Sequence, residues 1–449
     1  MNSSFYLSNI FFIFLISCSS TARVLTSTST TIPSAEAHFK YINISTEDEA
    51  IYQKALTDIQ SNRQGSVQVI VQDENGNPLA GYQVKYRQTN SDFLFGASAD
   101  ILYAQTLKQA GINILDVPMS WDMLQPEDKV FDLESVNSRL GIDQLKAEGW
   151  MLRANNLYSQ HDAELPIFFK NITHAEFLGK LYISEATVAK RFAPSIDYWE
   201  AIKDPNHETH NPLNKLPNEY FEAMSTSVYA IRDADPDAIT EITYSNPCNE
   251  LDDQGRLQSL QLLLDNNVDF DILNLQFLYN PAIENGQAST FTFSQMSACY
   301  DAFQTMLLPY GKKITLEFSA PSTTSTSQTG YWNVPWSEDT QAQYLVTAYS
   351  IFFSKPSLQG LTWGGVSIPE SGLLNKDGTL KKSYQALQEL LESWRTSGEA
   401  LTNASGTVNI QGFGGDYEIE VINPVNNTSM IAQIHIKEQV SVSETIVGP

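Results

Sequence analysis

The stretch Lys313-Ile-Thr-Leu-Glu317-Phe-Ser reads as a buried strand carrying one carboxylate near its end. A second run of the same kind, Ser195-Ile-Asp-Tyr-Trp-Glu-Ala-Ile-Lys-Asp204, closes on Asp204. Working outward from these two, apolar runs recur between helical patterns. The candidate strands are Phe93–Ala99, Ile112–Pro118, Gly149–Tyr158, Ser195–Asp204, Ile239–Asn246, Phe270–Tyr279, Lys313–Pro321 and Leu358–Val366. Amphipathic stretches such as Gln254–Asn266 and Thr340–Phe353 lie between them. Strand alternating with helix implies a parallel sheet, and eight repeats imply closure into a (β/α)8 TIM barrel of the α/β class. An open dinucleotide-binding sheet would carry a glycine-rich phosphate loop after its first strand, and Phe95-Gly-Ala-Ser-Ala is not one. Asp204 and Glu317 then stand on the fourth and seventh strands, at the face where barrel active sites form. Two carboxylates on that face are the equipment for cleaving a glycosidic bond.

With 449 residues the chain can form a barrel with appendages, and 20 Tyr, 22 Phe and 7 Trp supply core and stacking surfaces. The formal charge of −25, from 27 Lys+Arg against 52 Asp+Glu, argues against nucleic acid or an anionic membrane surface as a partner. No motif asks for a cofactor, and neither Cys248 nor Cys299 sits in a metal-binding spacing. Near the N-terminus, Ile10-Phe-Phe-Ile-Phe-Leu-Ile16 is too short to span a bilayer. It ends in Leu15-Ile16-Ser17-Cys18, which resembles the lipobox of bacterial lipoproteins, although the start lacks the usual Lys or Arg. That resemblance implies lipidation at Cys18; an ordinary secretory peptide is the alternative.

The expected organisation is a signal peptide with lipobox over 1–18, a Ser/Thr-rich tether over 19–45 and an N-terminal β module over 46–91. The barrel follows over 92–398 and a C-terminal β module over 399–449. In the first module a helix-like segment, Glu47–Asn62, precedes Ser66–Gln72 and Tyr82–Gln88, which read as a hairpin around Asn75-Gly76. In the last, Thr407–Gln411, Tyr417–Ile422 and Ile431–Lys437 alternate as antiparallel strands, packed on the barrel or paired with the N-terminal module. An exported monomer is expected, held at the outer membrane or cell surface through Cys18 alone, or else periplasmic or secreted.

Several segments in order resemble glycoside hydrolase family 10, the xylanase family. Tyr198-Trp-Glu-Ala-Ile-Lys-Asp204-Pro205 is similar to its Trp-Asp-Val-Val-Asn-Glu-Pro segment, and Phe93-Leu-Phe-Gly-Ala97 to its first strand. Trp121-Asp-Met-Leu-Gln-Pro-Glu127, Asp233-Ala-Asp-Pro-Asp237, Gln276 in Leu273-Asn-Leu-Gln276, and Thr362-Trp363-Gly-Gly-Val-Ser367 continue the match. The family retains anomeric configuration, so the resemblance implies Glu317 as nucleophile and Asp204 as acid/base. Asp204 stands where the family has Glu, one methylene shorter, and reach decides proton transfer.

Other positions depart further. Lys203 replaces an Asn that contacts the sugar 2-hydroxyl, and Asn155 and Leu278 stand where the family has His; Ser120 stands where a Lys is usual. Trp363-Gly364 keeps the family's pair. The candidate substrate-binding residues are Lys203, Asn155, Tyr158, Trp121, Asn246, Gln276 and Trp363, with Tyr279, Trp332 and Trp336 as further cleft aromatics. The partner implied is a β-linked polysaccharide: xylan or a related glycan, acidic if Lys203 pairs with a uronate or sulfate. Glycan binding without cleavage is the alternative. His207-Glu-Thr-His210 reads as a loop rather than a metal site, Asn249-Glu250 is a secondary acid candidate, and Ser322–Trp336 reads as a long loop over the mouth.

Overall fold

The computed structural model describes residues 45–449, except 156, 158–165, 170–171, 204–216, 246, 249–252, 278–281, 285–286, 290–291, 320–322, 324–330, 333 and 368–370. Cys18, Tyr158, Asp204, Asn246, Leu278, Tyr279, His207–His210 and Asn249-Glu250 therefore lie outside the described residues.

Helix α1 (Thr46–Asn62) leads into strands β1 (Gln64–Gln72) and β2 (Gln83–Ser91). The barrel then begins with β3 (Leu94–Ser98), α2 (Ala104–Gln109) and β4 (Ile114–Pro118). Three short helices follow, α3 (Trp121–Leu124), α4 (Leu133–Leu140) and α5 (Ile142–Ala147), before β5 (Met151–Asn155). Next come α6 (His174–Phe192), β6 (Tyr198–Lys203), α7 (Pro217–Ala234), β7 (Ile239–Ser245), α8 (Asp253–Asp265) and β8 (Ile272–Phe277). A small ribbon, β9 (Ala282–Glu284) with β10 (Gln287–Ser289), precedes α9 (Phe293–Leu307). The barrel ends with β11 (Lys313–Ser319), α10 (Glu338–Phe353), β12 (Leu358–Gly364) and α11 (Lys382–Ser393). Last are β13 (Ser397–Leu401), β14 (Thr407–Phe413), β15 (Gly415–Ile422), β16 (Ser429–Ile436) and β17 (Ser441–Val447).

The sheet β11-β12-β3-β4-β5-β6-β7-β8 is closed, and each neighbouring pair is parallel. All eight expected strands are barrel strands, flanked by small sheets, as the alternation implied. Local signals fix the helix starts. Thr173 with Glu176, and Thr292 with Gln295, form reciprocal caps on α6 and α9. Helix α10 differs from its expected amphipathic form: every residue from Thr340 to Phe353 is buried. The cause is α1, which packs on it from outside and buries Tyr52, Ala55 and Ile59 in the barrel's own core.

The expected hairpin is not formed. β1 pairs with β14 and β17, whereas β2 pairs with β13 and β15. The three-stranded sheet β14-β1-β17 and the four-stranded sheet β13-β2-β15-β16 share one core of Val67, Val69, Val71, Val84, Ile410, Ile419 and Ile436. The two flanks thus interleave, and the Asp73–Asn77 turn carries the chain from one sheet to the other. Arg63, 2% exposed, ties this layer to the barrel. It donates to the carbonyls of Phe353 at 2.5 Å and Leu358 at 2.9 Å, and to Lys355, while meeting Glu438 at 3.1 Å.

Candidate active site

A barrel strand sends alternate residues into the lumen, so layers can be counted upward from the closed end. Leu94, Ile114, Tyr198 and Ile272 form an apolar floor, with Met151 and Ile239 packed on it. Two residues further along these six strands stand Gly96, Asp116, Glu200, Asn274, Arg153 and Glu241. Except for the glycine, this second layer is polar, and its side chains are at most 4% exposed. Thr315 and Thr362 complete it from β11 and β12, both buried.

Arg153 knits the layer together. Its Nη1 donates to Asp116 Oδ1 at 3.1 Å and to Thr362 Oγ1 at 3.2 Å, and its Nε meets Glu241 Oε2 at 3.2 Å. The Thr315 hydroxyl lies 3.3 Å from Glu241 Oε1 and 3.2 Å from Asn274 Oδ1, and donates to one at a time. Burial pushes the Asp116 carboxyl up to about 7, against the pull of Arg153, with Glu317, Glu241 and Glu200 adding to the rise. Burial likewise lifts Glu200 to about 7, opposed by Lys203. Glu241 is raised by burial and held back by Arg153. A proton is thereby retained on part of this carboxyl cluster near neutrality.

The third layer is the mouth. Glu317 lies two residues beyond Thr315, in register with Gln276 on β8 and Thr362 on β12, and it is partly exposed. Gln276 is buried and accepts from the Ser245 hydroxyl at 2.8 Å. Asn155 ends β5 in the same layer, half-buried. A register shift between Glu200 and Ile202 brings Lys203 level with Thr243. The structure therefore brings Glu317, Gln276, Asn155 and Lys203 to one end of the lumen.

Those of the expected aromatics that are described, Trp121, Trp332, Trp336 and Trp363, are elsewhere. Trp363 follows the inward Thr362, so it faces the helices; it is 0% exposed, with Tyr349 of α10 at 6.3 Å. Trp121 is buried against Phe169 at 4.2 Å and donates to Gln125 Oε1 at 3.0 Å. Trp336 is also buried. Tyr331 and Trp332 each donate to Asp48 on α1 at 3.1 Å, and Tyr331 packs on Phe293 at 4.6 Å. This described end of the long loop clasps α1.

Cys248, just after β7, is bonded to Cys299 of α9, answering a pairing the sequence leaves open. Among the described residues, no group of three or more His, Cys, Asp or Glu side chains is arranged to hold a metal ion. Sequence reasoning passed over Asp116, Arg153, Glu200 and Glu241. The signal was there: each is a charge inside an apolar strand, at the spacing that faces the lumen.

No family model matches the chain, and no curated protein matches it. Solved structures do. A family 10 xylanase from Thermobacillus composti is 16% identical, with a TM-score of 0.50 over 67% of this chain and 97% of its own. A family 10 protein from Paenibacillus barcinonensis is 14% identical, with a TM-score of 0.52 over 67% of this chain and 96% of its own. Xylanase 10B from Thermotoga maritima is 15% identical, also with a TM-score of 0.52, over 67% of this chain and 95% of its own. The barrel resembles that of family 10 glycoside hydrolases, and at this identity the likeness is one of fold.

Proposed function

We propose that this chain is an exported glycoside hydrolase that cleaves a β-linked polysaccharide with retention. The observation that carries the reading is Glu317, partly exposed at the C-terminal end of β11 above a buried polar layer, in a xylanase-like barrel. In this reading the Glu317 carboxylate attacks the anomeric carbon and forms a glycosyl ester, while Asp204 protonates the departing glycosidic oxygen. Asp204 then takes a proton from water, whose oxygen displaces Glu317. Export to the cell surface by a Cys18 lipid anchor, or by a plain signal peptide, fits a chain with a Cys248–Cys299 disulfide.

Charge favours a neutral glycan over the acidic one that Lys203 alone suggests. Asp116, Glu200, Glu241 and Glu317 outnumber Arg153 and Lys203, and the charge of Lys203 acts on Glu200. The same engagement of Lys203, with the departure at Asn155, favours a second reading: a surface protein that holds glycans without turnover. Reducing-sugar release from neutral and acidic polysaccharides, with Glu317→Ala alongside, separates the two. Release that vanishes in the variant supports the hydrolase; binding without release by either protein supports the receptor.

A further inference from the structure

We infer that Arg153 is a positioning residue for Glu317, bracing its strand from across the lumen and setting the charge beneath it. The inference rests on the reading of Glu317 as nucleophile. In the closed sheet β5 lies four strands from β11 in either direction, so Arg153 starts from the opposite wall. Its guanidinium donates to Thr362, the register partner of Glu317 on β12. Through Glu241 it also reaches Thr315, the inward residue that precedes Glu317 on its own strand. The lateral neighbour and the supporting residue of Glu317 therefore hang on one side chain. A planar fork with several donors in fixed directions suits that task, and an ammonium does not reproduce it.

The electrostatic arrangement points the same way. Glu317 faces Asp116 from β4, Arg153 from β5, Glu200 from β6 and Glu241 from β7, with Tyr349 from α10. Lys203 stands with Glu200 on β6, while the inner faces of β8 and β12 offer Asn274, Gln276 and Thr362, which do not titrate. Arg153 is the buried cation set among the neighbouring carboxyls, paired with Asp116 and Glu241. Removing it takes away the buried positive charge beneath Glu317 and leaves the carboxyls below to take up protons.

The experiment uses the full chain labelled with 13C at the Glu side-chain carboxyl, the Glu317 signal being assigned by its loss in Glu317→Gln. In Arg153→Met the Glu317 signal moves to higher pH, the direction for loss of an opposite charge. Arg153→Lys recovers part of the shift. On a polysaccharide that the protein cleaves, Arg153→Met lowers kcat about tenfold or more with KM little changed, and its acid limb moves upward. If Arg153→Met does not fold, Arg153→Lys carries the test through a smaller shift in the same direction. An unmoved Glu317 titration in the folded variants overturns the inference. Turnover that persists in Glu317→Gln sinks the nucleophile reading, while the NMR titration still judges Arg153.

Discussion

Replacing Glu185 by Gln should make this protein more stable in mild alkali and leave it unchanged in acid. Glu185 sits on the apolar face of α6 with Leu181 and Ala189, 2% exposed. Its polar neighbour among the described residues is the Ser227 hydroxyl, which donates to the Ala201 carbonyl at 3.1 Å. Burial lifts the carboxyl from 4.5 to about 8. Since the folded form binds its proton more tightly than the unfolded chain, the stability this proton confers is complete below about pH 4.5. It drains away as pH rises and is gone above about pH 8. At about 1.4 kcal/mol per pH unit, the full window corresponds to about 5 kcal/mol, an upper bound because partial opening admits water. Gln mimics the protonated acid in shape and neutrality, so the variant escapes this loss. Asp116 and Glu200 drain stability in the same direction, but they are present in both proteins and cancel in the difference. Urea unfolding of both proteins at half-unit steps from pH 5 to 9 measures it. The gap should open with pH in favour of Glu185→Gln by about 3–5 kcal/mol. A gap that is constant across the range, or that opens the other way, refutes the reasoning.

Two further substitutions test the scaffold. Arg63→Ala strands Glu438 and the carbonyls of Phe353, Lys355 and Leu358 at the junction of barrel and sandwich. It should cost about 3–5 kcal/mol, seen as a lower melting temperature, and Arg63→Lys should recover little because one ammonium cannot serve the same fan of acceptors. Gly96→Ala drives a methyl group into the Thr362 hydroxyl that accepts from Arg153. A loss of about 1–3 kcal/mol with reduced turnover is expected, and a variant of full stability and activity would show that the second lumen layer tolerates rearrangement.

The barrel was legible because a parallel strand buried on both faces leaves an apolar run, whichever way its residues point. The same property hid half of the site. In Thr362-Trp363-Gly364 both faces of the strand are buried, so nothing local says which residue looks into the lumen; closure against Gly96 and Arg153 decides it, and Trp363 is turned out. Lys203 was legible as a mouth residue, yet its inward direction depends on a register shift that no propensity announces. The hairpin failed for a related reason. Val67, Val69 and Val71 alternate much as β2 does, and two facing sheets of a sandwich ask for the same pattern as two paired strands. The partners of β1 lie more than 300 residues away, beyond the range of any turn signal.

What could have been read without a structure is the charge buried inside each run. Asp116, Arg153, Glu200 and Glu241 occupy four adjacent barrel strands, each two residues past an apolar floor residue. Desolvating four ionisable side chains costs several kcal/mol apiece unless they meet one another. Their presence in otherwise apolar strands therefore implies one shared cluster, and the single cation among them implies that the carboxyls cannot all be ionised together. That inference requires only strand order and period two. It makes the layer beneath Glu317 part of the candidate site, together with the residues at the mouth.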